Sequence, residues 1–439
     1  MNEGKKGLNV GVKSFVTAIV VIFILMVLTY GLTFAVPGAY MPFWKWALSP
    51  ILVLGGEGNS SLIAVLIFLL VIGGVFNCLD KSGLMIYMLE NITERFGKER
   101  YKLLAYVTLF FMAMGSFIGS FEECVPLVPI MIALAVRLGW DALVGIGMSL
   151  LAIGCGFAAG VCNPFTVGVA QQLAGLPMFS GIWFRLIGFG LVYALLLAFL
   201  VCYAKKIEKP LGKTDVFVTA TDAKMDKGLK CFLSLMGGGI LLVLSSVFLT
   251  VLQDYTMIIV AVTFLVAGLS ASKISGRLGN LLATFWHGMV SIFPAVFMIL
   301  MANSIKYTLV EGNVLDTLLQ GAIDIAGTLP AWSVILFIYL IVLVMNFFIS
   351  SGSAKAFLLM PLIVPVAEVF GISAQLCVVA FAFGDGFSNV IYPTNPVLLI
   401  SLGISGVDYG KWLKWSLPFQ LMNLVLTSGL LLIGYVIGY

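Results

Sequence analysis

A chain of 439 residues, 61% hydrophobic and only 10% charged, is too apolar to be a water-soluble domain, since soluble domains carry roughly 25% charged residues. Its mean hydropathy of +1.12 places it in a lipid bilayer. The net charge of +4 reflects which loops hold the cations, so composition gives no reason to expect a nucleic-acid partner.

A spanning helix needs about 20 apolar residues. Residues 14–36 form the first candidate, without a charge and preceded by Lys5, Lys6 and Lys13. The run is longer than the roughly 7–15 residues of a signal-peptide core, so it reads as a span. Further spans are expected at 60–79, 142–171, 181–204, 231–252, 256–271, 281–305, 373–402 and 412–438, which makes nine. Amphipathic stretches follow two of them, at 82–98 and 307–328. Two apolar stretches, 101–138 and 331–371, are too long for one span, and small polar residues interrupt each midway. They are expected to be re-entrant hairpins. With a cytoplasmic N-terminus, the cytoplasmic loops then hold 20 of the 24 Lys and Arg, while Lys45, Lys306 and Arg185 fall outside. The expected fold is an all-α polytopic membrane protein.

The chain also aligns with itself. At an offset of 232, Pro129 falls on Pro361, Gly139 on Gly371, Gly154 on Gly386, and Asn163-Pro164 on Asn395-Pro396. At an offset of 229, Gly181, Trp183 and Arg185 meet Gly410, Trp412 and Lys414. The first amphipathic stretch falls inside and the second outside, so the halves are inverted. The expected organisation is a first repeat over 1–204, a cytoplasmic linker over 205–230 and a second repeat over 231–439. Inverted repeats with paired broken helices mark secondary transporters, with the site at the midplane.

Non-helical backbone is tolerated at membrane depth where it is buried in protein or lines a watery cavity. Segment 142–171 is interrupted by "GCGFAAGVCNPFTVG", and 373–402 by "FGDGFSNVIYPTNP". Freed amides at half-helix N-termini attract anionic groups, and freed carbonyls coordinate cations. The hairpin tips, "GSFIGSFEE" and "SSGSAK", bring small hydroxyl residues and charges. Intramembrane charges are costly and functional by default. The expected substrate ligands are Ser116, Gly119, Ser120, Glu122, Glu123, Asn163, Ser351, Gly352, Ser353, Lys355, Asp385 and Asn395. Ion coupling is expected at Glu122, Glu123, Asn163, Thr166, Asp385, Ser388, Asn389, Thr394 and Asn395.

The order hairpin, "EE…P…P", "NPF", second hairpin, "PTNP" resembles the ion-transporter superfamily. Within it, the chain is similar to the DcuC-type anaerobic C4-dicarboxylate carriers. Around "EECVPLVPIMIAL" and "CNPFTVG" it resembles their YfcC-like branch of basic-amino-acid antiporters. Where that branch is expected to carry Thr-Gly after "NPF", this chain has Val167-Gly168, with Thr166 one position earlier. The resemblance implies an elevator-type carrier of the bacterial inner membrane, working as a homodimer.

Glu122, Glu123 and Asp385 against Lys355 leave the centre negative if all are ionised. That favours an amino acid, especially a basic one, whose ammonium would meet a carboxylate. Alternatively one glutamate carries a coupling proton, since burial raises its pKa. The readings are a carrier of a small amino acid, ion-coupled or exchanging; a carrier of C4-dicarboxylates or other small carboxylates; and a cation/proton antiporter. Na+ or H+ is the expected coupling ion, with no other cofactor. No enzyme is expected, because H-E-x-x-H, G-x-S-x-G and nucleotide-binding loops are absent from the sequence. The one histidine, His287, and the seven scattered cysteines read as structural.

Overall fold

The computed structural model describes residues 12–55, 60–88, 91, 99–119, 121–209, 223–246 and 256–439, and among them the regular structure is entirely helical. Most expected spans are present with small shifts. Val12–Ala35, Ser60–Lys81, Ile182–Ile207, Thr256–Ser275 and Tyr409–Ile437 are single helices. Ala223–Ser246 begins inside the expected linker, because Lys230 pairs with Asp226 at 2.7 Å and continues the helix past its apolar part. Leu281–Glu311 runs six residues beyond its expected end at 305, and the amphipathic helix is Val314–Ala326. Here Ser304 and Thr308 return their hydroxyl protons to Leu300 and Ser304 carbonyls at 2.8 Å, so polar residues do not end the helix.

The helices form two bodies. Val12–Ala35, Ser60–Lys81, Ala223–Ser246, Thr256–Ser275 and Leu281–Glu311 pack chiefly on one another. Both hairpins, both broken helices, Ile182–Ile207 and Tyr409–Ile437 make the second body. Val314–Ala326 touches Leu281–Glu311 and both arms of the second hairpin. The bodies meet further where Pro396–Ser405 touches Val12–Ala35 and Leu281–Glu311, and where Ser60–Lys81 touches Glu122–Leu127.

The first hairpin goes out through Arg100–Ala113 and the π-helical turn Met114–Ile118, and returns through the 3₁₀ turn Glu122–Leu127 and Val128–Arg137. Its two ends meet. Arg100 Nη1 donates to the Leu138 carbonyl at 3.0 Å, and the Tyr101 and Trp140 rings lie 5.6 Å apart. Arg100 and Tyr101 also hold Glu208, so the end of Ile182–Ile207 lies on this side. The second hairpin is Ala331–Phe348 and Gly352–Val369. Each of its arms is 18 residues, about 27 Å long, so its length alone suits a full crossing as well as a re-entrant arm. Gly139 and Gly371 close the two hairpins with φ of +87° and +71°, a conformation that favours glycine.

The broken helices cross at two glycines. A Cβ on Gly154 would stand 2.5 Å from Val390 Cγ1, and one on Gly386 would stand 2.3 Å from Ala158 Cα. Glycine at 386 lets the two backbones approach this closely, and glycine at 154 makes room for the Val390 side chain.

Candidate functional site

Each broken helix stops and restarts at an Asn-Pro. The first runs through Ala142–Ile146, a π-helical turn at Gly147–Leu151 and Ala152–Ala158. After residues 159–163 it resumes as Pro164–Gly168 and Val169–Leu173. The second runs through Ala374–Gly386 and Phe387–Val390 and resumes as Pro396–Ser405. Proline suits the first helical position because its missing N–H would have no partner there. The preceding asparagine caps the amides that follow. Asn163 Oδ1 accepts from the Phe165 and Thr166 amides at 2.9 and 3.3 Å, and Asn395 Oδ1 from Val397 and Leu398 at 3.0 and 3.4 Å.

The first hairpin tip serves the first break. The Ser116 carbonyl accepts from the Val161 and Cys162 amides at 3.2 and 3.1 Å. The Ser116 hydroxyl donates to the Ala159 carbonyl at 2.9 Å and accepts from the Val161 amide at 3.0 Å. Gly119, at φ +77°, lies so close to Asn163 that a Cβ would fall 2.3 Å from its Oδ1. Ser120 and the side chains of Glu122 and Glu123 lie outside the described residues; the backbone of the two glutamates opens the returning 3₁₀ turn.

The second tip reaches both breaks. A Cβ on Gly352 would be 2.6 Å from Asp385 Oδ2 and 2.6 Å from Thr166 Cγ2. Ser351, just before it, is exposed and Ser353 half-buried. Lys355 follows with no exposed surface, its Nζ 2.5 Å from Asp385 Oδ1 and bonded to Asn346 Oδ1. Asn346 Nδ2 shares its two hydrogens among the Asp385 carbonyl at 2.8 Å, Ser388 Oγ at 2.6 Å and Asn389 Oδ1 at 2.9 Å. Asn389 Oδ1 also accepts from Asn395 Nδ2 at 3.1 Å. One polar chain therefore runs from Lys355 to the cap of the second break.

Among the residues expected to hold solute or ion, four buried polar atoms have no partner: Asn163 Nδ2, Thr166 Oγ1, Thr394 Oγ1 and Asp385 Oδ2. Buried polar groups are ordinarily satisfied, so these atoms are open to a ligand. Asp385 Oδ2 offers an acceptor to a cation, and Asn163 Nδ2 a donor to an anion.

The model of the C4-dicarboxylate anaerobic carriers, DcuC, matches residues 48–436. The chain belongs to the DcuC family. Among its relatives, the Escherichia coli (strain K12) protein named "Putative basic amino acid antiporter YfcC" is 30% identical over 411 residues, covering 88% of this chain and 80% of that protein. An uncharacterized protein of Haemophilus influenzae is 24% identical over 398 residues, covering 86% and 76%. Among solved structures, the YdaH transporter of Alcanivorax borkumensis overlays with a TM-score of 0.48 at 19% identity, covering 97% of this chain and 99% of that one. MtrF of Neisseria gonorrhoeae, from a class of antimetabolite efflux pumps, overlays at 0.46 and 15%, covering 95% and 94%. This DcuC-family chain is thus a multi-pass membrane transporter of the DcuC/YfcC type.

Three side chains escape the sequence reading of this carrier. Asn346 sits alone between Met345 and Phe347 in an apolar helix, with no pattern to mark it. Arg185, expected on the outside with Lys45 and Lys306 and given no role there, is 3% exposed and bonded to the first break. Gln171 donates to Gln375 at 3.0 Å, tying the restarted part of the first broken helix to the start of the second.

Proposed function

We propose that this DcuC-family chain is an elevator-type secondary carrier of a small amino acid, preferring a basic one, driven by an ion gradient or by exchange. The observation that carries the reading is Gly352, wedged between Asp385 of the second broken helix and Thr166 of the first. A hairpin tip that touches both breaks can respond to what binds at either. The unpartnered Asp385 Oδ2 would take the solute's ammonium or a coupling cation. The two-body packing supports the elevator reading, since it separates the site-bearing body from a body with few contacts to it.

The paired contacts at the crossing support inverted halves. Gly154 meets Val390 while Gly386 meets Ala158, and an offset of 232 exchanges the two contacts as a twofold axis would. The homodimer, the inner-membrane location and the cytoplasmic N-terminus belong to the same reading, resting on cation bias and on the family. A second reading, a C4-dicarboxylate carrier, is favoured by the name of the family model. A thermal-shift screen of the purified protein against the twenty amino acids and against succinate, fumarate and malate, with and without sodium, tests both. Stabilisation by lysine, arginine or another amino acid is expected. Stabilisation by the dicarboxylates alone selects the second reading, and stabilisation by sodium or pH alone removes both.

A further inference from the structure

Arg185 is a buried charge that the site above leaves unused. It stands one turn into Ile182–Ile207. Its Nε donates to the Val161 carbonyl at 3.2 Å, within the first break, and Nη1 reaches the Tyr439 hydroxyl at 3.5 Å. Both partners are neutral, and Nη2 has none. Among the described residues no carboxylate pairs with this guanidinium. Arginine cannot shed its proton, and a charge buried in the protein without a counter-ion is costly enough to point to a function.

A bland role would be to satisfy the carbonyl that the break frees. The second break shows that this task needs no charge. There the Val390 carbonyl accepts from the neutral indole of Trp412 at 2.7 Å, likewise from the opening turn of the following helix. The guanidinium at the first break therefore offers something an indole cannot, a second and third donor carrying positive charge.

Its position is next to the first tip. Val161, whose carbonyl it holds, donates its own amide to Ser116. Phe189, four residues on and so on the same helix face, packs its ring 6.1 Å from Phe117 of the tip. Asn163 Nδ2, two residues past Val161, is a second buried donor without an acceptor. The first break thus collects donors that lack acceptors, while Asp385 at the second holds an acceptor that lacks a donor.

We infer that Arg185 binds the carboxylate of the transported solute, with the Asn163 amide as a second donor. This rests on the reading of the two breaks as the solute site. It makes the carboxylate an obligatory part of the substrate, with the ammonium or its equivalent facing Asp385.

The test compares acids with their amides on the full-length purified protein: arginine with argininamide, lysine with lysinamide, and succinate with succinamide. Thermal shift is measured for wild type, Arg185→Lys and Arg185→Gln. Acids are expected to shift wild type and amides to fail. Arg185→Gln should bind the acid at least tenfold more weakly, and Arg185→Lys should recover part of the loss. If Arg185→Gln does not fold, the acid–amide comparison on wild type and Arg185→Lys decides. An amide that binds wild type as its acid does, or an Arg185→Gln protein that binds the acid within twofold of wild type, overturns the assignment and leaves the carrier reading standing. If no acid binds wild type, both fall.

Discussion

Lys355 stands in the opening turn of Gly352–Val369, where the positive end of a helix disfavours a cation. It is held by Asp385 and Asn346, and neither Lys355 nor Asp385 has exposed surface. Removing one member of such a pair strands a buried charge at a cost of roughly 3–5 kcal/mol, whereas replacing both can be nearly neutral. Lys355→Met and Asp385→Asn are therefore each expected to lower the melting temperature and stop transport. The double variant should regain most of the stability and none of the transport. A double variant that transports as wild type would make the pair a structural tie. Asp385, Lys355 and the two Asn-Pro breaks were legible in the sequence because charges and prolines inside apolar runs are costly wherever they stand. Asn346 was not, because its role depends on Lys355 and Asp385, which folding brings to it. The burial of Arg185 was not legible, because what covers it includes Tyr439, far away in the sequence.

At the scale of elements, the small, polar midpoints of 101–138 and 331–371 each mark a change of helix, and the first stretch brings its ends together at Arg100 and Leu138. The helical residues before 231 and after 305 were harder to read, since an i, i+4 ion pair or a hydroxyl bonded to its own helix carries a helix past its apolar stretch. The caps give an expectation. Asn163 and Asn395 each hold two amides, so Asn163→Ala and Asn395→Ala should each cost about 1 kcal/mol of stability. As Asn163 Nδ2 is also free for a ligand, Asn163→Ala should weaken solute binding beyond that small loss of stability. A binding curve unchanged in Asn163→Ala would reduce the residue to a cap. Cysteines at Lys102 and Arg137 test the first hairpin: labelling by an impermeant thiol reagent is expected from the same face, and labelling from opposite faces would show that the segment crosses once.

On the scale of the molecule, orientation is an expectation from cation bias, which puts Lys45 outside and Lys411 inside. Lys45 pairs with Glu311 at the close of Leu281–Glu311. A cysteine at Lys45 should label in intact cells and one at Lys411 should not; the reverse would turn the molecule over. The division into two bodies was not legible from hydropathy, which registers spans and not their partners. What joins the bodies to the chemistry is the second tip, whose Gly352 has no room for a side chain between Asp385 and Thr166. The most direct test is uptake of radiolabelled lysine and arginine by proteoliposomes, under sodium and proton gradients and with the same amino acid trapped inside, for wild type and Gly352→Ala. Wild type is expected to accumulate or exchange at least one of them, and Gly352→Ala to insert and fold yet carry neither. Gly352→Ala transporting at the wild-type rate would contradict the placement of the solute site where the two breaks meet.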